Sequence, residues 1–92
     1  MGLIFEWDEK KAIANIKKHG ISFEEASTAF ADDLSITIDD PLHSRHEDRL
    51  ILIGKSKQFN TLVVVHIERG EAIRIISARK ATRKEQKYYE EY

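Results

Sequence analysis

The sequence predicts a small α+β domain: a mainly antiparallel sheet with helices gathered on one face, in the order β-α-α-β-β-β-β-α. Three observations lead there. Four β-rich segments follow one another after residue 34 with short connections, the pattern of antiparallel neighbours rather than of crossovers. Two helices precede them and one follows, each opened by a capping residue. The chain has 92 residues, which fits one domain over 1–92 with a thin core, since a chain this size buries only about 60–65% of its unfolded surface.

The elements follow in order. Residues 3–7 (Leu-Ile-Phe-Glu-Trp) are apolar and aromatic enough for a short strand. Asp8 offers an N-cap to a helix over 9–19, with Ala12, Ile13 and Ile16 on one stripe and Gly20 as its stop. Ser22-Phe23-Glu24-Glu25 reads as a capping box, in which Ser22 caps and Glu25 reaches back. The helix it opens buries Phe23, Ala26 and Phe30 and closes at Asp32-Asp33. Residues 34–38 form a strand, 39–48 a loop containing Pro41, 49–54 a strand and 55–60 a turn. Residues 61–68 and 72–78 form a hairpin around Arg69-Gly70-Glu71. Thr82-Arg83-Lys84-Glu85 is a second capping box, opening a helix to about residue 91.

Strand alternation assigns faces. On 61–68, Val63, Val65 and Ile67 share one face, and Leu62, Val64 and His66 the other. On 72–78, the odd set is Ile73, Ile75 and Ser77, and the even set Arg74 and Ile76. The odd face is the purer apolar set and is expected to lie under the helices. His66 and Arg74 then share the outer face, opposite each other or one diagonal apart.

Composition excludes several function classes. Hydrophobic residues are 41% and charged residues 34%, a globular balance. There is no cysteine, so disulfides, thiolate zinc sites and a cysteine nucleophile are excluded. No apolar run approaches the ~18 residues of a membrane span. Residues 1–6 lack a basic n-region, so the expected location is the cytoplasm, without membrane association. His43 and His46 near Asp39 and Asp40 have metal-ligand chemistry, but a solvated loop explains them better. No phosphate loop or hydrolase elbow is present, and no metal or cofactor is expected.

Charge is unevenly placed. Residues 1–50 hold 6 basic and 11 acidic side chains, a net of −5; residues 51–92 hold 9 and 5, a net of +4. A chain polarised in this way can meet a polyanion on one side. Lys80, Arg83 and Lys84, in the basic stretch 79–87, are the candidates for RNA contact.

What chemistry remains belongs to cations, imidazoles and phenols. RNA carries its own nucleophile, the 2′-OH. Cleavage needs that hydroxyl deprotonated, the phosphorane charge stabilised and the 5′-oxygen protonated. Arginine suits the second task because its fork grips phosphate bidentately. Candidates are Lys18, His19, His66, Arg74, Arg79, Glu85 and Tyr88. Each also has a structural explanation. Lys18 and His19 complement a helix C-terminus, Glu85 completes a capping box, and Tyr88 packs a helix on a sheet. A non-catalytic module that binds a protein partner is the alternative reading. Direct DNA binding has no helix-turn-helix signature behind it.

Several segments together resemble the BrnT family of type II toxins. They are Phe5-Glu6-Trp7-Asp8, Lys11, Asn15, the run from Lys18 through His19-Gly20 to Ala26, Asp48-Arg49, Gly54, the run from Leu62 to His66, Arg74-Ile75-Ile76-Ser77-Ala78-Arg79, Ala81, Glu85 and Tyr88. The resemblance implies a RelE-like fold, an RNA-cutting toxin that blocks translation and growth, and a BrnA-type ribbon-helix-helix antitoxin. Operator DNA would be bound only through the antitoxin complex. Possible active-site roles pass to Lys18, His19, Arg74, Ser77, Arg79 and Tyr88, with Arg74 and Arg79 first.

Overall fold

The computed structural model describes residues 2–40 and 48–92. Strand β1 (Ile4–Glu6) leads into α1 (Glu9–His19) and α2 (Phe23–Thr28), which tightens into a 3-10 turn (Ala29–Ala31). Strands β2 (Ile36–Asp39), β3 (Leu50–Lys55), β4 (Thr61–Arg69) and β5 (Ala72–Lys80) follow, and α3 (Arg83–Glu91) closes the chain. The expected order and class hold. His43 and His46 lie outside the described residues. Among the described residues no cluster of three metal-ligating side chains occurs, and no helix is long and apolar enough to cross a membrane.

The sheet order is β1-β5-β4-β3-β2. All pairs are antiparallel except β1 with β5. That parallel pair brings Glu6 beside Arg74, 68 residues apart in sequence.

The face assignment is corrected. The helices cover the even face of β4: the core gathers Leu62 and Val64 with Ile75, Ala78, Ala12, Ile21, Phe23 and Ala26. The hairpin has a two-residue loop, Gly70-Glu71, with Arg69 opposite Ala72. Gly70 has φ +60° and Glu71 does not share the positive φ, the pattern of a type II′ turn. Ile67 therefore pairs with Arg74, and His66 with Ile75. Farther on, Val65 pairs with Ser77, so Ile76 is an extra residue, a β-bulge that restores the other register. Core-facing positions are thus even on β4 but odd on β5 before the bulge. His66 points inward and Arg74 outward, on opposite faces. Alternation carried across the bulge by parity alone could not show this.

Two smaller expectations also change. On α1 the buried positions are Ala12 and Asn15, while Ile13 and Ile16 are half exposed. Asn15 explains the rotation. Its amide donates to the carbonyls of Ile21 and Ala78, both at 2.8 Å, and its Oδ1 accepts from the Ala78 N–H at 3.1 Å. A buried polar group so fully paired costs little and fixes the helix on β5. On α2, Ser22 accepts from Glu25 N–H at 3.0 Å, but the Glu25 carboxylate turns away to Ser56 and Asn60. The box at Thr82 and Glu85 is complete.

Helices α1 and α2 cover one face. Aromatic pairs close this layer, Phe5 on Phe30 and Trp7 on Phe23 with centroids 5.1 and 5.9 Å apart. Gly54 lets the 3-10 turn approach β3, since a Cβ there would meet the Ala29 carbonyl at 2.9 Å. Helix α3 crosses one end of the opposite face instead, over Ile53 and Val63. It is latched at both ends, by Glu85 to Arg79 and by the Tyr89 hydroxyl, which donates to Asp32. Burial and the Asp32 carboxylate push the Tyr89 phenol up to about 12.

Candidate functional site

The face away from α1 and α2 carries the site. Ladder pairing puts Val63, Val65 and Ile67 of β4 beside Arg79, Ser77 and Arg74 of β5. Arg74 and Arg79 are four ladder steps apart, roughly 13 Å along the strands.

Arg79 is the most constrained cation there. Its Nη1 and Nη2 donate to the two oxygens of Glu85 at 2.7 and 2.8 Å, and Nη1 also reaches the Lys80 carbonyl at 3.3 Å. Glu85 Oε1 in turn accepts the Thr82 N–H at 2.8 Å. The capping box thus doubles as a mount for the arginine. The hydrogen bonds from Arg79, assisted by Thr82, hold the Glu85 carboxyl at about 2 despite partial burial. The same pair raises the Arg79 guanidinium above its ordinary value. Of five N–H donors on a guanidinium, the end-on pair faces Glu85. The side-on edge, Nε–H with the second Nη2–H, has no partner among the described residues. That edge matches two oxygens of a phosphate.

A cavity of about 270 Å³ opens beside it, floored by Ile51, Ile53 and Val63 and walled by Lys84, Glu85 and Tyr88. Tyr88 is 44% exposed, and its ring tilts against Tyr92 at 5.6 Å between centroids. A wider hollow of about 710 Å³ at the other end of the strands is lined by Asp39, Asp48 and Glu68, with Arg69 as its one cation. Three carboxylates make it the poorer place for a phosphate.

Arg74 donates to Glu6 at 3.0 Å, and Arg69 lies 3.8 Å from the same oxygen. Its guanidinium is directed toward β1, away from Arg79. Lys18 and His19 end α1, and the Asn15 clamp ties that end of the helix to Ala78, next to Arg79 in sequence. Lys80, Arg83 and Lys84 follow on the same end of the sheet, as Lys80 pairs with Leu62 and the Ala81 N–H donates to the Thr61 carbonyl. Lys84 and Tyr88 line the cavity with Arg79, whereas Lys80 shares the helix-covered face with Leu62, and Lys18 and His19 end α1 on that same face.

His66 stands apart. It is 3% exposed, its ring meets Phe30 edge-on at 4.8 Å, and Nδ1 lies 3.2 Å from the Val64 carbonyl. Burial lowers its basicity. It is a core histidine, and the structure does not bring it to Arg74 or Arg79. Sequence reasoning missed the mounting roles of Glu6 and Asn15. Asn15 left one signal, a polar residue three positions after Ala12 on the helix face that packs inward.

The family described as "Ribonuclease toxin, BrnT, of type II toxin-antitoxin system" matches residues 7–85. Among solved structures, the crystal structure of the Brucella abortus ribonuclease toxin BrnT is similar, at TM-score 0.71 and 27% identity. The match covers 89% of this chain and 100% of that one. No curated protein matches. The family match spans the Arg79–Glu85 mount, the α1 clamp and the core, and the chain belongs to the BrnT family of ribonuclease toxins of type II toxin–antitoxin systems.

Proposed function

We propose that this toxin cleaves RNA without a metal, by attack of the substrate's own 2′-OH, with Arg79 holding the scissile phosphate. The observation that carries this is the Glu85-mounted guanidinium with its side-on edge free beside an open cavity. A preorganised cation costs little reorganisation when phosphorane charge develops. Tyr88, which lines the cavity with Arg79, would be the first proton carrier, with His19 and Lys18 as the further candidates. Arg74, roughly 13 Å away, would hold a phosphate farther along the strand. Lys80, Arg83 and Lys84 would track the RNA backbone. His66 leaves the catalytic set, since a buried neutral imidazole packed on Phe30 meets no substrate.

The toxin would act in the cytoplasm, where cutting RNA blocks translation and growth. A BrnA-type ribbon-helix-helix antitoxin would neutralise it by covering the outer sheet face, whose Ile38 is 40% exposed and whose Val65 and Ile67 are half-buried. Operator DNA would be reached only through that complex. The test is incubation of antitoxin-free protein with structured RNA in excess EDTA, followed by analysis of the new ends. Ends carrying 2′,3′-cyclic or 3′-phosphate support the mechanism. Ends with 3′-hydroxyl, or activity abolished by EDTA, reject it. Folded protein that cuts neither free RNA nor RNA on translating ribosomes would favour the non-catalytic binding module.

A further inference from the structure

We infer that Phe59, in the β3–β4 turn, is a stacking site for an unpaired base of single-stranded RNA; this rests on the ribonuclease reading above. The ring is 83% exposed. Its backbone sits at φ +67°, the only non-glycine residue with positive φ among the described residues. A bulky side chain is disfavoured there, and glycine or asparagine would fit without strain. The turn is nonetheless rigidly built. The Phe59 N–H donates to the Ser56 carbonyl at 2.9 Å, and the Ser56 N–H to the Asn60 carbonyl at 2.8 Å. The Lys57 N–H donates to Thr28 Oγ1 at 2.9 Å, and the Ser56 hydroxyl to Glu25 at 2.7 Å. A strained position held by its surroundings, displaying a ring in water, adds nothing to the core. It suits a ligand.

The surroundings select the ligand. Lys55 and Lys57 flank the ring in the turn, and strand register sets Lys80 at the same sheet end. The neighbouring carboxylates, Glu25 and Asp32, are spent on Ser56 and Asn60 and on the Lys55 N–H and Tyr89. The shallow hollow beside the ring presents a mainly apolar surface, lined by Thr28, Ala31, Asp32, Lys55, Ser56 and Lys57. An exposed ring over a small apolar hollow, with Lys55 and Lys57 beside it, fits an unpaired base whose backbone phosphates meet the lysines. Stacking is tolerant of base identity, so the site would add affinity and hold the strand without reading sequence.

The experiment uses a fluorescent single-stranded 2′-O-methyl RNA, whose blocked 2′-OH prevents cleavage, in anisotropy titrations at fixed salt. Phe59→Ala and Phe59→Gly are expected to weaken binding about 5- to 100-fold, and Phe59→Trp to stay within about twofold of wild type. Thermal melting of Phe59→Gly above wild type would show that lost binding is not lost folding. Wild-type binding by both the Ala and Gly variants, from a toxin that cleaves ordinary RNA, overturns the inference. So does unchanged RNA binding with weakened capture of a BrnA-type antitoxin, which would make the ring a protein contact. Wild-type protein that cleaves no RNA instead fails the ribonuclease reading, and that outcome is visible before any variant is made.

Discussion

Glu85 grips Arg79 end-on, through hydrogen bonds of 2.7 and 2.8 Å, and leaves the arginine's side-on edge without a partner among the described residues. One carboxylate performs two tasks, since it also caps α3 through the Thr82 N–H. The helix start and the candidate phosphate site are therefore one device.

Replacing Glu85 by Gln separates the two tasks. The amide keeps the size and one acceptor but loses the charge and the bidentate fit. RNA cleavage is expected to fall about tenfold, less than on loss of the guanidinium itself, for which a factor of about 10² to 10³ is typical. Single-turnover rates of Glu85→Gln beside wild type check this.

The same carboxylate predicts a pH dependence of stability. Its folded value, about 2, lies below its ordinary 4.5. The stabilisation is therefore complete above about pH 5 and is lost as pH falls from there through 2. Urea unfolding of wild type and Glu85→Gln is expected to show a gap that is constant above pH 5 and closes toward pH 2. A gap that widens on acidification would contradict the pairing.

His66 predicts a loss in the same direction, on acidification, at milder pH. Burial lowers its value from the ordinary 6.5, so the unfolded chain takes up the proton first. Its contribution favours the folded state fully above about pH 7 and declines as pH drops through 6.5. Phe at this position keeps a ring against Phe30 and removes the proton. His66→Phe is expected to gain stability relative to wild type between pH 7 and 5, while its pH–rate profile for RNA cleavage stays unchanged. A lost limb in that profile would return His66 to the catalytic set.

Asn15 holds α1 to β5 through two hydrogen bonds with Ala78 and reaches the Ile21 carbonyl with a third. Asn15→Ala strands the buried Ala78 N–H and two carbonyls. A loss of about 3 kcal/mol is expected, read as a melting temperature lower by about 15 °C. Loss of cleavage in step with a displaced α1 would also show in the amide spectra of Lys18 and His19.

The local signals of this sequence were legible and the long-range ones were not. Asp8, Gly20 and Thr82 mark helix ends because capping is decided within a turn or two of chain. The β4–β5 hairpin was readable as a hairpin, since Gly70 sits between two apolar runs. Its register was not: a two-residue loop and the bulge at Ile76 each shift pairing by one, and each shift exchanges the faces. That is why His66 and Arg74 part company. The Glu6–Arg74 contact depends on a parallel β1–β5 pairing between opposite ends of the chain, which no local pattern encodes. Arg79 and Glu85 were both legible as candidates. Their pairing was hidden because Glu85 already had an explanation in its capping box.

The most direct measurement is the single-turnover cleavage rate of RNA in EDTA by wild type, Arg79→Ala and Arg79→Lys, each confirmed folded. A lysine keeps the charge but has no fork. Both variants are expected to lose about 10²-fold or more, with Arg74→Ala losing less. An Arg79→Ala variant that cleaves at the wild-type rate would contradict the assignment of the scissile phosphate to the Glu85-mounted arginine.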